Sequence, residues 1–253
     1  MLGIALTVPS GLDTDSFGSF DGKVPRITTA AETAVAKARA GMAAAGLTLG
    51  IASEGSFGPH PVLVWVPAGI ETMVFIDAEM DLTVSETRLC ERTNFSHRDV
   101  ADAADLADWL VRIGFPTHGL LVRPLGGPVL AKGITDRASL SAVVAQAAAR
   151  GENGLARVET DMRAHLNPTR MASIRGLAVR LARRLATACP ACAAPGWGQT
   201  GVVRGLTCAG CGGATNLVAA LVFGCGRCRH SHETPRPDGR RTTDPGNCPN
   251  CNP

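Results

Sequence analysis

Eight of the nine cysteines form four Cys-x-x-Cys pairs: Cys189/Cys192, Cys208/Cys211, Cys225/Cys228 and Cys248/Cys251. A two-residue gap lets both thiolates of a tight turn face one cation, and Zn²⁺ takes four such ligands in a tetrahedron. Joining neighbouring pairs encloses 15 residues in one case and 19 in the other. Both lie in the range of about 15–20 expected of a zinc ribbon. The spacing therefore predicts two structural Zn²⁺ sites, the first pair with the second and the third with the fourth. A crossed arrangement, first with third and second with fourth, stays open, and disulfides or free thiols are the alternative to metal. His230 and His232 have the chemistry to replace a thiolate, but four complete pairs leave no vacancy for them. A site closed by four thiolates offers no position to water, so these metals are expected to hold structure rather than to catalyse.

Outside the cysteines, Glu54 is the first candidate for chemistry. It follows an apolar run and precedes Gly55, Gly58, Pro59, His60 and Pro61. A carboxylate at the end of a strand faces the crevice in which α/β proteins bind ligands, and glycines let backbone approach a phosphate closely. An ordinary tight turn with an exposed Glu is the bland reading. Asp13 and Asp15 sit in another Gly-flanked loop and would add oxygen ligands for Mg²⁺, although alternating Asp is also plain turn chemistry. Asp77, Glu79 and Asp81 read as a hairpin turn. Farther on, Arg163, His165 and Arg170 stand near the start of a helix and suit an anion such as a phosphate chain. Cys90, Trp65 and Trp109 read as core.

The elements that would position these residues follow from periodicity and caps. Residues 3–8 read as a short strand. Thr29 with Glu32 makes a capping box for a helix that Gly46 should stop. Residues 47–52 read as a strand that breaks at the Gly- and Pro-rich stretch 53–61, which is expected to be irregular. Further strands are expected at 62–66, 72–77 and 81–87. Ser96 with Asp99 suggests a second capping box, and a helix over 96–113 with Val100, Leu106, Leu110 and Ile113 inward. Strands at 120–123 and 129–134, a helix over 138–150, a strand at 156–159 and a helix from Pro168 to 188 complete the pattern. On that last helix Met171, Ile174, Ala178, Leu181 and Leu185 make the apolar stripe. Interleaved strands and helices predict an α/β domain over 1–188, with a mixed sheet flanked by helices, and a small zinc-ribbon module over 189–253.

Composition narrows the function classes. Of 253 residues 45% are hydrophobic, enough for a packed core, yet only seven are Phe, three Trp and none Tyr. Reading of single strands by stacking bases on many aromatic rings is thereby disfavoured. The net charge of +3 belongs to residues 189–253, which carry six Arg and three acids. Two four-thiolate zinc sites would bring that module to about −1, so a general electrostatic grip on nucleic acid is not expected. No run approaches the roughly 18 apolar residues of a membrane span, and nothing at the start reads as a signal peptide. Metal-spaced thiols suit a reducing compartment, so a cytoplasmic protein without a membrane partner is expected.

Taken together, Asp13-Thr14-Asp15-x-Phe17-Gly18-x-Phe20, the stretch Gly50 to Pro61, Glu159-Thr160-Asp161-Met162-Arg163-Ala164-His165, the four cysteine pairs and the closing Asn250-Cys251-Asn252-Pro253 resemble an uncharacterised bacterial family, a domain of unknown function. That likeness spans nearly the whole chain and implies no activity. The order of Lys37-Ala38, the strand ending at Glu54-Gly55 and Thr169-Arg170 resembles that of the inosine triphosphate pyrophosphatase-like enzymes. Such a likeness implies a Mg²⁺-dependent hydrolase of a nucleotide or other phosphorylated small molecule. Glu54, assisted by Asp15, would hold the metal, and Arg163, His165 and Arg170 the phosphates. The Thr-x-Asn-x-x-Lys phosphate loop of those enzymes is missing from this chain. The competing expectation is a non-catalytic zinc-ribbon adaptor that binds a protein or nucleic-acid partner.

Overall fold

The structure, a computed structural model, describes residues 3–18 and 27–253, with the side chain of Asp15 outside the described part. Its contacts divide the chain into two compact units. The larger comprises Ala5–Asp77 and Ser85–Arg180, and the smaller brings Ala78–Val84 together with Leu181–Pro253. The α/β class is as expected from the sequence.

In the larger unit the first helix, α1 (Ala30–Ala45), starts at the expected capping box. The Thr29 hydroxyl accepts the Glu32 N–H, the Glu32 carboxylate accepts the Thr29 N–H, and Gly46 ends the helix with φ +64°. Ala34 and Ala38 of α1 pack on Val74 and Ile76. The latter two lie in β2 (Pro67–Asp77), which pairs antiparallel with β1 (Leu49–Pro59) and also borders β3 (Leu82–Cys90).

Three expectations change here. Residues 3–8 have no regular structure. The stretch 53–59 is the second half of β1 rather than an irregular loop, in register from Ser53↔Met73 to Pro59↔Pro67. Its glycines mark crowding, not a turn. A Cβ on Gly55 would lie 2.5 Å from the Arg170 guanidinium and 2.8 Å from the Glu71 carboxylate, and one on Gly69 would lie 2.6 Å from the Phe57 ring. Residues 62–66, expected as a strand, are the turn between β1 and β2. There His60 Nδ1 accepts the N–H groups of Val62 and Leu63, and Trp65 is 78% exposed rather than core.

The second layer runs β4 (His97–Val100), α2 (Ala107–Ile113), β5 (Leu120–Pro124), β6 (Ala131–Ile134), α3 (Arg137–Ala148) and β7 (Ala156–Thr160). The sheet order β4-β7-β5-β6 interleaves two strand–helix–strand crossings, and its neighbouring strands pair antiparallel. Leu120, Val122 and Val158 of the sheet bury themselves against Trp109, Leu110, Leu140 and Val144 of the helices. The helix expected over 96–113 is instead a strand, a 3-10 turn capped by Asp102 and the short α2. Two causes are visible. Asp99 forms a cross-strand ion pair with Arg157, through two bonds of 2.7 Å, and Ser96 receives the Trp109 indole N–H instead of capping a helix. Helical periodicity of apolar residues starts only at Leu106. The last helix, α4 (Pro168–Leu185), buries Leu177, Leu181 and Leu185, whereas Met171 of the expected stripe is exposed.

The smaller unit holds an antiparallel sheet in the order β11 (Ser231–Pro235), β10 (Val218–Gly224), β8 (Gly198–Arg204). Beside it in sequence, the two-residue strands β9 (Thr207–Cys208) and β12 (Thr242–Thr243) pair in parallel.

Candidate metal centres

Each cysteine pair is a tight turn tied by its own backbone. Cys189 donates its N–H to the Ala194 carbonyl, Cys208 to that of Gly213, and Cys225 to that of His230. The residue after the second cysteine takes a left-handed conformation in three of the four turns: Ala193 at φ +57°, Gly212 at +71° and Arg229 at +59°. That bend folds the chain back and leaves both thiols on one side. Amide groups then point at sulfur, with Ala191 N–H to Cys189, Gly210 N–H to Cys208 and Arg227 N–H to Cys225 at 3.3–3.4 Å. Such bonds favour the thiolate.

The turns meet in two groups of four. Cys189, Cys192, Cys225 and Cys228 form one centre, and Cys208, Cys211, Cys248 and Cys251 the other, each with all its sulfurs within 4.8 Å of one another. In the first, Cys189–Cys228 and Cys192–Cys225 are 3.8 and 3.7 Å apart; in the second, Cys208–Cys251 and Cys211–Cys248 are 3.8 and 3.6 Å apart. A disulfide would need about 2.05 Å. A tetrahedron of Zn–S bonds of about 2.3 Å has edges of about 3.8 Å, so the spacing fits a four-thiolate metal ion. Left to one another, the thiols are in conflict. The Cys211 backbone N–H, then that of Gly210, draws Cys208 down to about 7, while hydrogen bonds to the Cys211 and Cys208 thiols push Cys251 up to about 12. A divalent cation resolves this by accepting all four as thiolates.

The pairing is the crossed one, first with third and second with fourth, which corrects the neighbour pairing expected from spacing. Strand register is the cause. β10 returns along β8 and sets Gly224 opposite Gly198, so the third turn arrives at the first. The parallel pairing of Thr243 with Cys208 brings the fourth turn to the second, fastened by the Ala209 N–H to the Thr243 carbonyl. Neither His230 nor His232 joins a centre; His230 stacks on Trp197 at 5.4 Å.

The centres differ in their surroundings. Ala194, Met80 and Trp197 pack about the first. A Cβ on Gly226, between its third and fourth ligands, would collide with the Thr83 carbonyl oxygen. The second has two exposed ligands, Cys211 and Cys251, against one, Cys228, in the first.

This chain belongs to the family described as Domain of unknown function (DUF6671), which matches residues 37–253. No curated protein and no solved structure matches it. The likeness to inosine triphosphate pyrophosphatase-like enzymes gains no support from these comparisons.

The residues expected to hold Mg²⁺ and phosphate lie in the larger unit. Glu54 is 6% exposed in the middle of β1, not in a loop, and its carboxylate takes the Lys37 ammonium at 2.6 Å. Arg170 is equally occupied. Its Nε donates to Glu71 at 2.6 Å, its Nη1 to the Met162 carbonyl, and its guanidinium lies 5.3 Å from the centre of the Phe57 ring. Strand alternation separates the two: Glu54 points toward α1, and Gly55 beneath Arg170 faces the other way. Burial raises the Glu71 carboxyl above its ordinary range, Arg170 opposes the shift, and the charge of Glu54 adds to it. Arg163 clasps the fully buried Asp161 through Nε and Nη2. His165 and Asp13 are exposed, and Asp15 lies in a 3-10 turn with its side chain outside the described part. Glu71 was missed from the sequence. Its signal was a lone carboxylate within the apolar run of β2.

Proposed function

We propose that the protein is a non-catalytic binding protein whose C-terminal module is held in shape by two structural Zn²⁺ ions. The observation that carries this reading is the pair of closed four-thiol centres at the tetrahedral spacing of zinc. All four positions of each ion would be filled by sulfur, leaving none for water or substrate. Soft thiolates select zinc over Mg²⁺, which prefers carboxylate oxygens. The ions would replace the apolar core that a segment of this size and composition lacks. The partner is a ligand of the module, and a reducing compartment such as the cytoplasm keeps its thiols competent for metal. Among the described residues no helix is long and apolar enough to cross a membrane.

The reading of a Mg²⁺-dependent hydrolase draws less support. Glu54 is neutralised by Lys37, Arg170 by Glu71 and Arg163 by Asp161, so each charge has an internal use. Metal analysis of the full chain should find two Zn²⁺ per molecule. A nucleotide panel with Mg²⁺ or Mn²⁺ should release neither phosphate nor pyrophosphate. Release that disappears in Glu54→Gln while zinc is retained would overturn the non-catalytic reading.

A further inference from the structure

The smaller unit contains a cleft of about 570 Å³ where the start of β10 and the end of β11 meet the links that lead into β9 and β12. That volume falls within the range of about 300–1,000 Å³ found for small-molecule sites. Leu206, Ala219 and Ala220 contribute an apolar lining, and Thr207 and Thr234 add hydroxyl groups. Three arginines, Arg236, Arg240 and Arg241, line the same cleft against one acid, Glu233.

The arginines are not equivalent. Arg236 is fixed in place, with Nε at 2.9 Å and Nη2 at 2.6 Å from the Asp238 carboxylate and Nη1 at 2.6 Å from the Val218 carbonyl. The Asp238 carboxyl, held well below its usual range chiefly by Arg236, compensates that charge. Arg240 touches the same carboxylate only loosely, at 3.9 Å, and its side chain is 72% exposed. The Arg241 side chain has no hydrogen bond or ion pair among the described residues. Two guanidinium groups therefore stand at the cleft with donors to spare, beside a third arginine that acts as a rigid wall. A planar guanidinium matches the oxygens of a phosphate two at a time.

Charge beyond the cleft limits the size of the ligand. With two four-thiolate zinc ions the module carries about −1, which gives a long polyanion no general attraction. At the cleft itself three arginines face two acids, Glu233 and Asp238, so its own balance is positive.

The geometry points to a binding site for a small phosphate-bearing molecule of nucleotide size. Its phosphate would lie at Arg240 and Arg241, and its less polar part along Leu206, Ala219 and Ala220. This rests on reading the C-terminal module as the binding part of the protein.

Calorimetric titration of the zinc-loaded full chain with AMP, pyrophosphate and adenosine tests it. AMP and pyrophosphate should bind and adenosine should not. The double variant Arg240→Gln/Arg241→Gln should weaken both by about tenfold or more, with two zinc ions still bound. Arg241→Lys, which keeps the charge and loses the fork, should fall between. Unchanged affinity in the double variant, or no binding of either phosphate compound by a chain with both zincs in place, would overturn the site. So would binding confined to a twelve-nucleotide single strand, which would make the ligand a nucleic acid. None of these outcomes alters the zinc content or the absence of turnover, so the site can fail while the non-catalytic zinc reading stands.

Discussion

In the larger unit fifteen buried hydrophobic residues, among them Leu120, Val122, Leu140 and Val158, form one continuous cluster. In the smaller, the cluster about the first centre consists of Cys189, Ala194 and Cys225 with Met80, Cys192 and Trp197 beside them. Polar groups are used differently too. The larger unit buries ion pairs such as Glu71–Arg170, whereas the smaller gathers eight thiols and leaves the central strand β10 half-buried along most of its length. A branched aliphatic core gains stability from area removed from water, roughly 25 cal/mol per Å². A segment with little such area needs bonds of another kind. The contrast teaches that the two units should respond to different insults.

Metal removal should separate them most sharply. Apparent zinc-binding energies of about 10–16 kcal/mol become folding energy where no preformed site exists in the unfolded chain. A strong chelator should therefore erase hydrogen-exchange protection in β8 and β10 while β5 and β7 keep theirs. Equal loss in both units, or protection of β10 unaltered after zinc is stripped, would break the comparison.

An intermediate effect is expected in the larger unit. Glu71→Ala leaves the Arg170 charge buried without its partner, a change that costs about 3–5 kcal/mol. Denaturant titration should show the loss, and metal analysis should still find both zinc ions. Replacing Glu71 and Arg170 together by Met should recover much of it, because the unpaired charge is then gone.

The smallest effect concerns acid. Hydrogen bonds from Arg157 lead the lowering of the Asp99 carboxyl below its ordinary range. The stability this supplies is present above the unfolded-state carboxylate pKa and is lost as pH falls through the depressed folded value. Asp99→Asn should cost about 0.5–1 kcal/mol at neutral pH. The difference from wild type should vanish below that window in denaturant titrations repeated at each pH.

What the sequence made legible were features encoded within a few residues. The capping box Thr29/Glu32, the stop at Gly46 and the four Cys-x-x-Cys turns all appear where local chemistry placed them. Features set by distant partners were not legible. Gly55 looked like a loop residue because nothing nearby announces that Arg170 and Glu71 will occupy the space above it. Asp99 looked like the acid of a capping box until Arg157 arrived from β7. The same holds for the thiols. Spacing identified the ligands, but only the registers of β8 with β10 and β9 with β12 decided which four meet.

The crossed pairing makes the module a clasp. With an ion in each centre, one break of the backbone anywhere between Cys192 and Cys248 would leave at least one metal joining the pieces. A cut between Cys192 and Cys208 is spanned by the first centre, one between Cys228 and Cys248 by the second, and one between Cys211 and Cys225 by both. Had neighbours paired, that middle cut would have parted the halves. A protease that nicks a loop of the metal-loaded module should leave an assembly in one piece, whose fragments a chelator then releases.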